Sequence, residues 1–437
     1  MNIIGKTASF FREILLSRRM ILCCLTGFSS GLPLYVLLNL VQAWLTAENV
    51  NIKTLGLFAL VMFPYTWKFL WAPFFDSVSP VKGMGRRRGW LVITQAVLFL
   101  LITMMGLIDP KSVMSFAGIT VSGVSLAAAM CFLVSMASAS QDIALDALRR
   151  EILKDNELGL GNSLFVNLYR LSQLVPGSLA FILADHIPWS MVYLITGLFM
   201  IPGLLATLFV VKEPQIAAGK RTFREAVSLP LKEFVSRKGV RHALLVLLFI
   251  FCYKLGDSMA TSLLTRFYLD KGFTRTAIGI LSKSVSLPMS VIGALLGGIW
   301  MLKIGINRAL WLFGLFQFIT ILIFILLDMY PTKTVLSLVI GAEAFGVGLG
   351  TCAFTSYLAR ETNPAYTAFQ FALFTSLAAV PRTFFNAACG YLQALLGWSG
   401  FYYGCAIIAV PGMLLLLKVA PWNGGSDLES EKQNPQC

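Results

Sequence analysis

The chain has 437 residues, of which 57% are hydrophobic and only 13% charged, and its mean hydropathy is +0.76. A soluble domain of this size could not bury so much apolar surface, so the solvent of this chain is lipid. The formal charge of +14 could suggest nucleic acid, but the lysines and arginines crowd into the loops on one side of the apolar runs, the pattern of cytoplasmic loops in a membrane protein.

At about 20 residues per helical span, the apolar runs predict twelve transmembrane helices, at residues 21–46, 54–75, 90–108, 116–146, 159–184, 190–211, 243–268, 276–302, 308–327, 335–359, 366–395 and 399–418. Continuous runs rather than short alternating segments exclude a β-barrel, and the fold class is all-α. The opposite loops hold only Lys53, Lys111, Lys271, Arg275 and Lys333, which puts both termini in the cytoplasm. Residues 1–20 mix basic residues with Phe10, Phe11, Ile14 and Leu15 but lack the short apolar core and cleavage site of a signal peptide, so they read as a cytoplasmic amphipathic lead-in.

Span one carries Tyr35, Asn39 and Gln42 at i, i+4 and i+7, beside a break at Gly31, Leu32 and Pro33. Amides with an aromatic ring suit sugar hydroxyls and N-acetyl groups, and hydrogen bonding between helices is the alternative. Span two contains Lys68, and the basic loop after it holds Asp76, Gly83, Gly85, Arg86, Arg87, Arg88 and Gly89. That loop resembles the D-R-x-G-R-R loop of the major facilitator superfamily, with a longer spacing between acid and arginines. The resemblance implies a cytoplasmic latch formed by Asp76, Arg86, Arg87 and Arg88; a purely positive-inside anchor is the alternative.

Span four ends in Ser138-Ala-Ser-Gln141-Asp142-Ile-Ala-Leu-Asp146-Ala-Leu-Arg149-Arg150. The spacing stacks Asp142 and Asp146 on one helical face. Two carboxylates about 6 Å apart in a poorly solvated helix repel when both ionise, so one holds its proton more tightly, a proton-binding device. The alternative is that Asp146 pairs with Arg149 or Arg150 as a structural bridge. His186 and His242 fall in loops, which leaves any proton step to Asp142, Asp146, Asp257 or Glu343.

The long hydrophilic stretch 212–242 reads as a cytoplasmic, lipid-hugging linker, dividing the chain into bundles at 21–211 and 243–419 with a tail at 420–437. The first spans of the two halves are faintly alike: Gly31 and Trp44 lead to Gly56 in one, and Gly256 and Tyr268 lead to Gly279 in the other. Span seven lines up Lys254, Asp257, Ser258, Thr261 and Thr265, with Lys254 and Asp257 able to pair. Arg170, Lys283 and Arg382 complete a set of five deep bases with Lys68 and Lys254, against the acids Asp142, Asp146, Asp257 and Glu343, and these bases with Tyr35, Asn39, Gln42 and Gln141 are the candidates for substrate binding or gating. Each costs roughly 3 kcal/mol or more in hydrocarbon, so together they mark a transporter rather than an anchor, and the slight cationic excess favours an anionic substrate. Gly346, Gly348 and Gly350 after Glu343 read as close helix packing. The cysteines have no metal-type spacing, and neither a nucleophile cluster nor a signalling domain is evident. No metal, cofactor, nucleic acid or enzymatic activity is expected, and a monomeric carrier in contact with membrane lipid is.

Specific residues then match a family. Gly27-Phe28 to Leu34, Gln42-Ala-Trp44, Lys68-Phe-Leu-Trp71-Ala-Pro73, Gly85 to Trp90, Ser138 to Ala147, Tyr169-Arg170, Tyr253 to Asp257, Glu343 with Gly348 to Phe354, and Phe369 to Leu373 resemble the AmpG-type muropeptide permeases of the major facilitator superfamily. The resemblance implies two six-helix bundles with alternating access. It implies proton-driven import of N-acetylglucosaminyl-1,6-anhydro-N-acetylmuramic acid, with or without a stem peptide, across the bacterial inner membrane. It also gives importance to the aspartates of the S-A-S-Q-D-x-x-x-D-A motif, here Asp142 and Asp146. Leu148-Arg149 stands where relatives often have Trp-Lys, and the additional C-terminal spans of some members are not seen in this sequence.

Overall fold

The computed structural model describes residues 17–48, 50, 61–81, 83–116, 119–211 and 223–423. The amphipathic lead-in over 1–16, the start of span two and the first part of the linker lie outside the described residues. Two compact units emerge. Unit 1 takes the chain up to Leu153 with Leu164–Val227 and Pro364–Ala372; unit 2 takes Lys154–Ser163, Ser228–Asn363 and the chain from Leu373.

Unit 1 opens with α1, Arg18–Ala47. Ser17 caps it, its hydroxyl accepting from the Met20 amide, and Val36–Leu40 form a π-turn inside it, one turn beyond Pro33. Span two is not one continuous helix: α2 (Phe63–Trp67), a 3₁₀ turn (Lys68–Leu70) and α3 (Ala72–Ser77) follow each other, with Pro64 and Pro73 each early in a helix where a missing N–H costs nothing. Next come α4 (Arg86–Met105), a hairpin of β1 (Val113–Phe116) and β2 (Ile119–Ser122), and α5 (Gly123–Ile152). The hairpin displaces the expected start of span four, and the helix runs on to Ile152, so Asp146 stands well inside it. After α6 (Leu158–Leu171), whose residues up to Ser163 belong to unit 2, a π-turn at Val175–Leu179 leads into α7 (Ala180–Ala184), and α8 covers Trp189–Val210. The unit's apolar core gathers Leu32, Val36, Trp44, Ile102, Val134 and Tyr193, with the Trp44 and Tyr193 rings edge to face at 5.3 Å.

The second half of the chain begins with α9 (Phe223–Lys238), within which the unit boundary falls, and α10 (Val240–Asp270). Helix α10 is broken at Lys254 and Leu263, both outside helical geometry. Next are α11 (Arg275–Leu281), a π-turn over Ser282–Ser286, α12 (Leu287–Met329), α13 (Lys333–Glu361) and α14 (Thr367–Val419). A straight helix of the 53 residues of α14 would be about 80 Å long against a hydrocarbon layer of about 30 Å. Glycine resolves this: Gly397 at φ 68° and Gly305 at φ 75° turn α14 and α12 into two limbs each, a backbone conformation other residues adopt only under strain.

Among the described residues, eight helices are long and apolar enough to cross a bilayer. Counting the limbs of α12 and α14 separately, and the interrupted α2–α3 and α6–α7 as one pass each, the described residues provide the twelve expected passes. Apart from the hairpin they are helical.

The Gly348 reading as a close-packing position is explained inside unit 2: a Cβ there would stand 2.3 Å from the Ser290 carbonyl oxygen and 2.7 Å from the Ala294 amide. Both obstacles are backbone. Gly348→Val therefore should separate α12 from α13 and destabilise the protein by about 1–3 kcal/mol, read as a lower melting temperature in detergent.

Candidate functional site

Helix α5 places Asp142 and Asp146 on one face of unit 1, and each finds a different kind of partner. The Ser30 hydroxyl on α1 donates to Asp142 Oδ1 at 2.5 Å. Asp146 lies between two cations: Arg149 Nη2 is 2.8 Å from Oδ1 and Lys68 Nζ is 3.5 Å from Oδ2. The bridge from Asp146 to Arg149, one of the two alternatives open in the sequence, is thus present, and the Arg149 guanidinium also lies 3.9 Å over the Phe165 ring. Lys68 reaches inward from the 3₁₀ turn, which Trp71 pins to α5 by donating Nε1–H to Ser140 Oγ at 3.1 Å. The phenols of Tyr65 and Tyr169 are further electrostatic neighbours of Asp142.

The Tyr35, Asn39 and Gln42 stripe is interrupted. The π-turn at Val36–Leu40 takes up about one extra residue, which offsets the faces before and after it by about 100°. Tyr35 packs edge to face on Tyr169 at 5.9 Å and has Arg170 as its electrostatic neighbour, and Asn39 lies beside Gly177. Gln141, expected to meet substrate, is fully buried instead: its amide donates to Ser29 Oγ, as does that of Gln95, and Gln95 Oε1 accepts from Thr207. This is helix packing by hydrogen bonds.

Unit 2 contains a cavity of about 350 Å³. The break in α10 at Lys254 turns its ammonium to Asp257, 2.8 Å away, and the pair lines the cavity together with Ser258, Thr261 and Glu343. Thr351, Thr375 and Phe354 complete the polar and aromatic wall. The side chains of Thr265, Lys283 and Arg382 lie outside the described residues.

Asp76 is almost fully buried within unit 1. Arg87 Nη2 lies 2.6 Å from its carboxylate, and the Ala368 and Phe369 amides at the start of α14 donate to it at 3.3 and 2.9 Å. A carboxylate at a helix N-terminus satisfies amides that have no partner within the helix. Arg87 also reaches Glu151 at 2.7 Å, which accepts from Thr367 Oγ1, while Arg86 donates to the Asp76 carbonyl. Arg88 turns to the Thr207 and Leu208 carbonyls at the end of α8.

Residues 20–386 match the Major Facilitator Superfamily. The chain belongs to the major facilitator superfamily. Among its relatives, a Haemophilus influenzae protein is 46% identical, over 93% of this chain and 95% of that one. The anhydromuropeptide permease of Escherichia coli K12 is 37% identical, over 94% of this chain and 81% of the permease. Within the superfamily the chain falls among the AmpG-type permeases. The crystal structure of the human organic anion transporter MFSD10 has the same fold, with a TM-score of 0.67 at 17% identity, covering 91% of this chain and 99% of that one. This facilitator is a membrane transporter of a small molecule and not an enzyme.

Several residues of this facilitator escape sequence reasoning. Glu151 sits among charged loop residues and looks solvated; only folding brings it against Arg87. Ser30, Thr351 and Thr375 carry no charge, so nothing in the apolar runs marks them. The linker's described end, part of unit 2 from Ser228 on, bonds within that unit: Arg237 donates to the Glu361 carbonyl at 2.9 Å, Asn363 donates to Glu233 at 2.7 Å, and Phe234 meets Phe374 at 5.2 Å.

Asp76→Ala would leave Arg87 with one carboxylate instead of two and two helix amides unsatisfied. It should cost about 3 kcal/mol, within the range for breaking a buried ion pair, and lower the melting temperature in detergent. Asp76→Asn, which still accepts hydrogen bonds, should lower it less.

Proposed function

We propose that this protein imports anhydro-muropeptides, the N-acetylglucosaminyl-1,6-anhydro-N-acetylmuramic acid unit with or without its stem peptide, from periplasm to cytoplasm by proton symport. The observation that carries the reading is the cavity of unit 2. Its size falls in the range of small-molecule sites, and it combines a cation, two carboxylates, four hydroxyl side chains and one phenyl ring. Such a wall suits a solute that is part sugar and part carboxylate. Kinship with the E. coli permease over nearly the whole chain supports the same solute class.

Substrate contacts fall to Lys254 and its cavity neighbours, with Tyr35, Asn39, Gln42, Arg170, Lys283 and Arg382 contributing to binding or gating. Proton coupling falls to Asp142 and Asp146, with Asp257 and Glu343 as further acceptors. An ion pair such as Lys254–Asp257 can open when a proton or a substrate carboxylate replaces one partner, which gives alternating access an energetic handle. Asp76, Arg86 and Arg87, with the first turn of α14, form the cytoplasmic latch. The sequence divides into bundles of six spans each, and its basic loops orient both termini to the cytoplasm of the bacterial inner membrane. The carrier works as a monomer surrounded by lipid, without metal or cofactor.

Uptake of labelled anhydro-disaccharide and its tetrapeptide form into proteoliposomes tests the reading. An imposed inward proton gradient should drive accumulation of both, and unlabelled muropeptide should compete better than amino sugars, free peptides or acetyl-coenzyme A. Asp142→Asn should abolish gradient-driven accumulation while leaving exchange at equal pH. Lys254→Ala should raise the apparent KM about tenfold, the loss of one charge-assisted contact. Accumulation that ignores both the gradient and the muropeptide competitor would remove this function.

A further inference from the structure

The acid–base cluster of unit 1 contains two carboxylates and two cations, and the cations are held in different ways. Arg149 is fixed: it is on the same helix as Asp146, bonds it at 2.8 Å, and rests on Phe165. Lys68 comes from a separate short turn and stands at 3.5 Å from Asp146, beyond the 2.7–2.9 Å of a strong charge-assisted bond. It is also only 7% exposed, so its charge is little screened by water. Asp142 stands one turn before Asp146 on the same face of α5, so the field of the ammonium falls on both carboxylates.

Asp142 faces Ser30 from α1, Tyr65 from α2, Lys68 from the 3₁₀ turn, Asp146 and Arg149 from its own helix, and Tyr169 from α6. Of these, Ser30 suits either protonation state, since a hydroxyl donates to a carboxylate and accepts from a carboxylic acid. With both aspartates ionised the four charges sum to zero. A proton on Asp142 leaves one positive charge in excess, and because Arg149 already neutralises Asp146, that excess resides on Lys68.

We propose that Lys68 is a positioning residue for the proton site: its ammonium, rather than that of Arg149, sets the pH at which Asp142 exchanges its proton. The inference rests on the reading of Asp142 as the coupling group, and it moves Lys68 from substrate contact to control of that group. Removing the lysine charge lets Asp142 keep its proton to higher pH, so uptake that requires the protonated form should persist to higher pH.

The full-length protein in proteoliposomes provides the test, by uptake of labelled anhydro-disaccharide across a range of external pH together with exchange at equal pH on both sides. Lys68→Gln should retain exchange and shift the midpoint of gradient-driven uptake upward by about 1 unit or more, the size of effect of a single nearby charge. Lys68→Arg should restore the wild-type midpoint. If Lys68→Gln fails to fold, Lys68→Met, which keeps the apolar stem, reports the same shift. An unmoved midpoint in the neutral variants overturns the role of Lys68, as does a raised apparent KM at constant midpoint, which would return the residue to substrate contact. Retention of gradient-driven accumulation by Asp142→Asn would instead overturn the coupling reading on which the inference rests.

Discussion

A charge inside a bilayer-spanning protein persists only if it is neutralised where it stands, and the buried polar chemistry of this transporter is organised by that requirement. Asp142 and Asp146 come with Lys68 and Arg149, Asp76 and Glu151 come with Arg87 and Arg86, and Asp257 holds Lys254. Each group is a small closed circuit of charge. Moving a proton or a carboxylate into one of them changes its balance by a full unit in a medium that screens poorly, which is how a small chemical event can shift a helix packing.

Two of these cations, and Asn39 with them, sit where the helical backbone is irregular. Lys68 lies in a 3₁₀ turn between two proline-started helices, Lys254 at a break in α10, and Asn39 inside the π-turn of α1. Irregular backbone in a membrane protein must be surrounded by protein or water rather than lipid. The breaks therefore locate these side chains away from the lipid face and re-aim them.

Packing between the charge clusters is neutral and close. Gly348 lets α13 approach the backbone of α12, and Ser29, Gln95, Gln141 and Thr207 bind four helices of unit 1 through a buried chain of hydrogen bonds. Gln141 illustrates how adjacency misleads. It precedes Asp142 in sequence, yet a helix turns about 100° per residue, so the neighbour of a functional residue points elsewhere.

The amino-acid sequence by itself determined the solvent, the twelve passes and the presence of paired acids on α5, because these depend on hydropathy and on spacing along a single helix, and its motifs carried the resemblance to the superfamily. Only the tertiary structure decided the partners. That Asp146 takes Arg149 and Lys68, that Glu151 joins Asp76 around Arg87, and that Thr351 and Thr375 line the same cavity as Lys254 all depend on residues far apart in the chain. The π-turn that rotates Gln42 away from Tyr35, and the hairpin that delays α5, were hidden for a related reason: a one-residue change of helical phase or a short strand pair leaves the hydrophobic pattern almost unaltered while it moves every side chain beyond it.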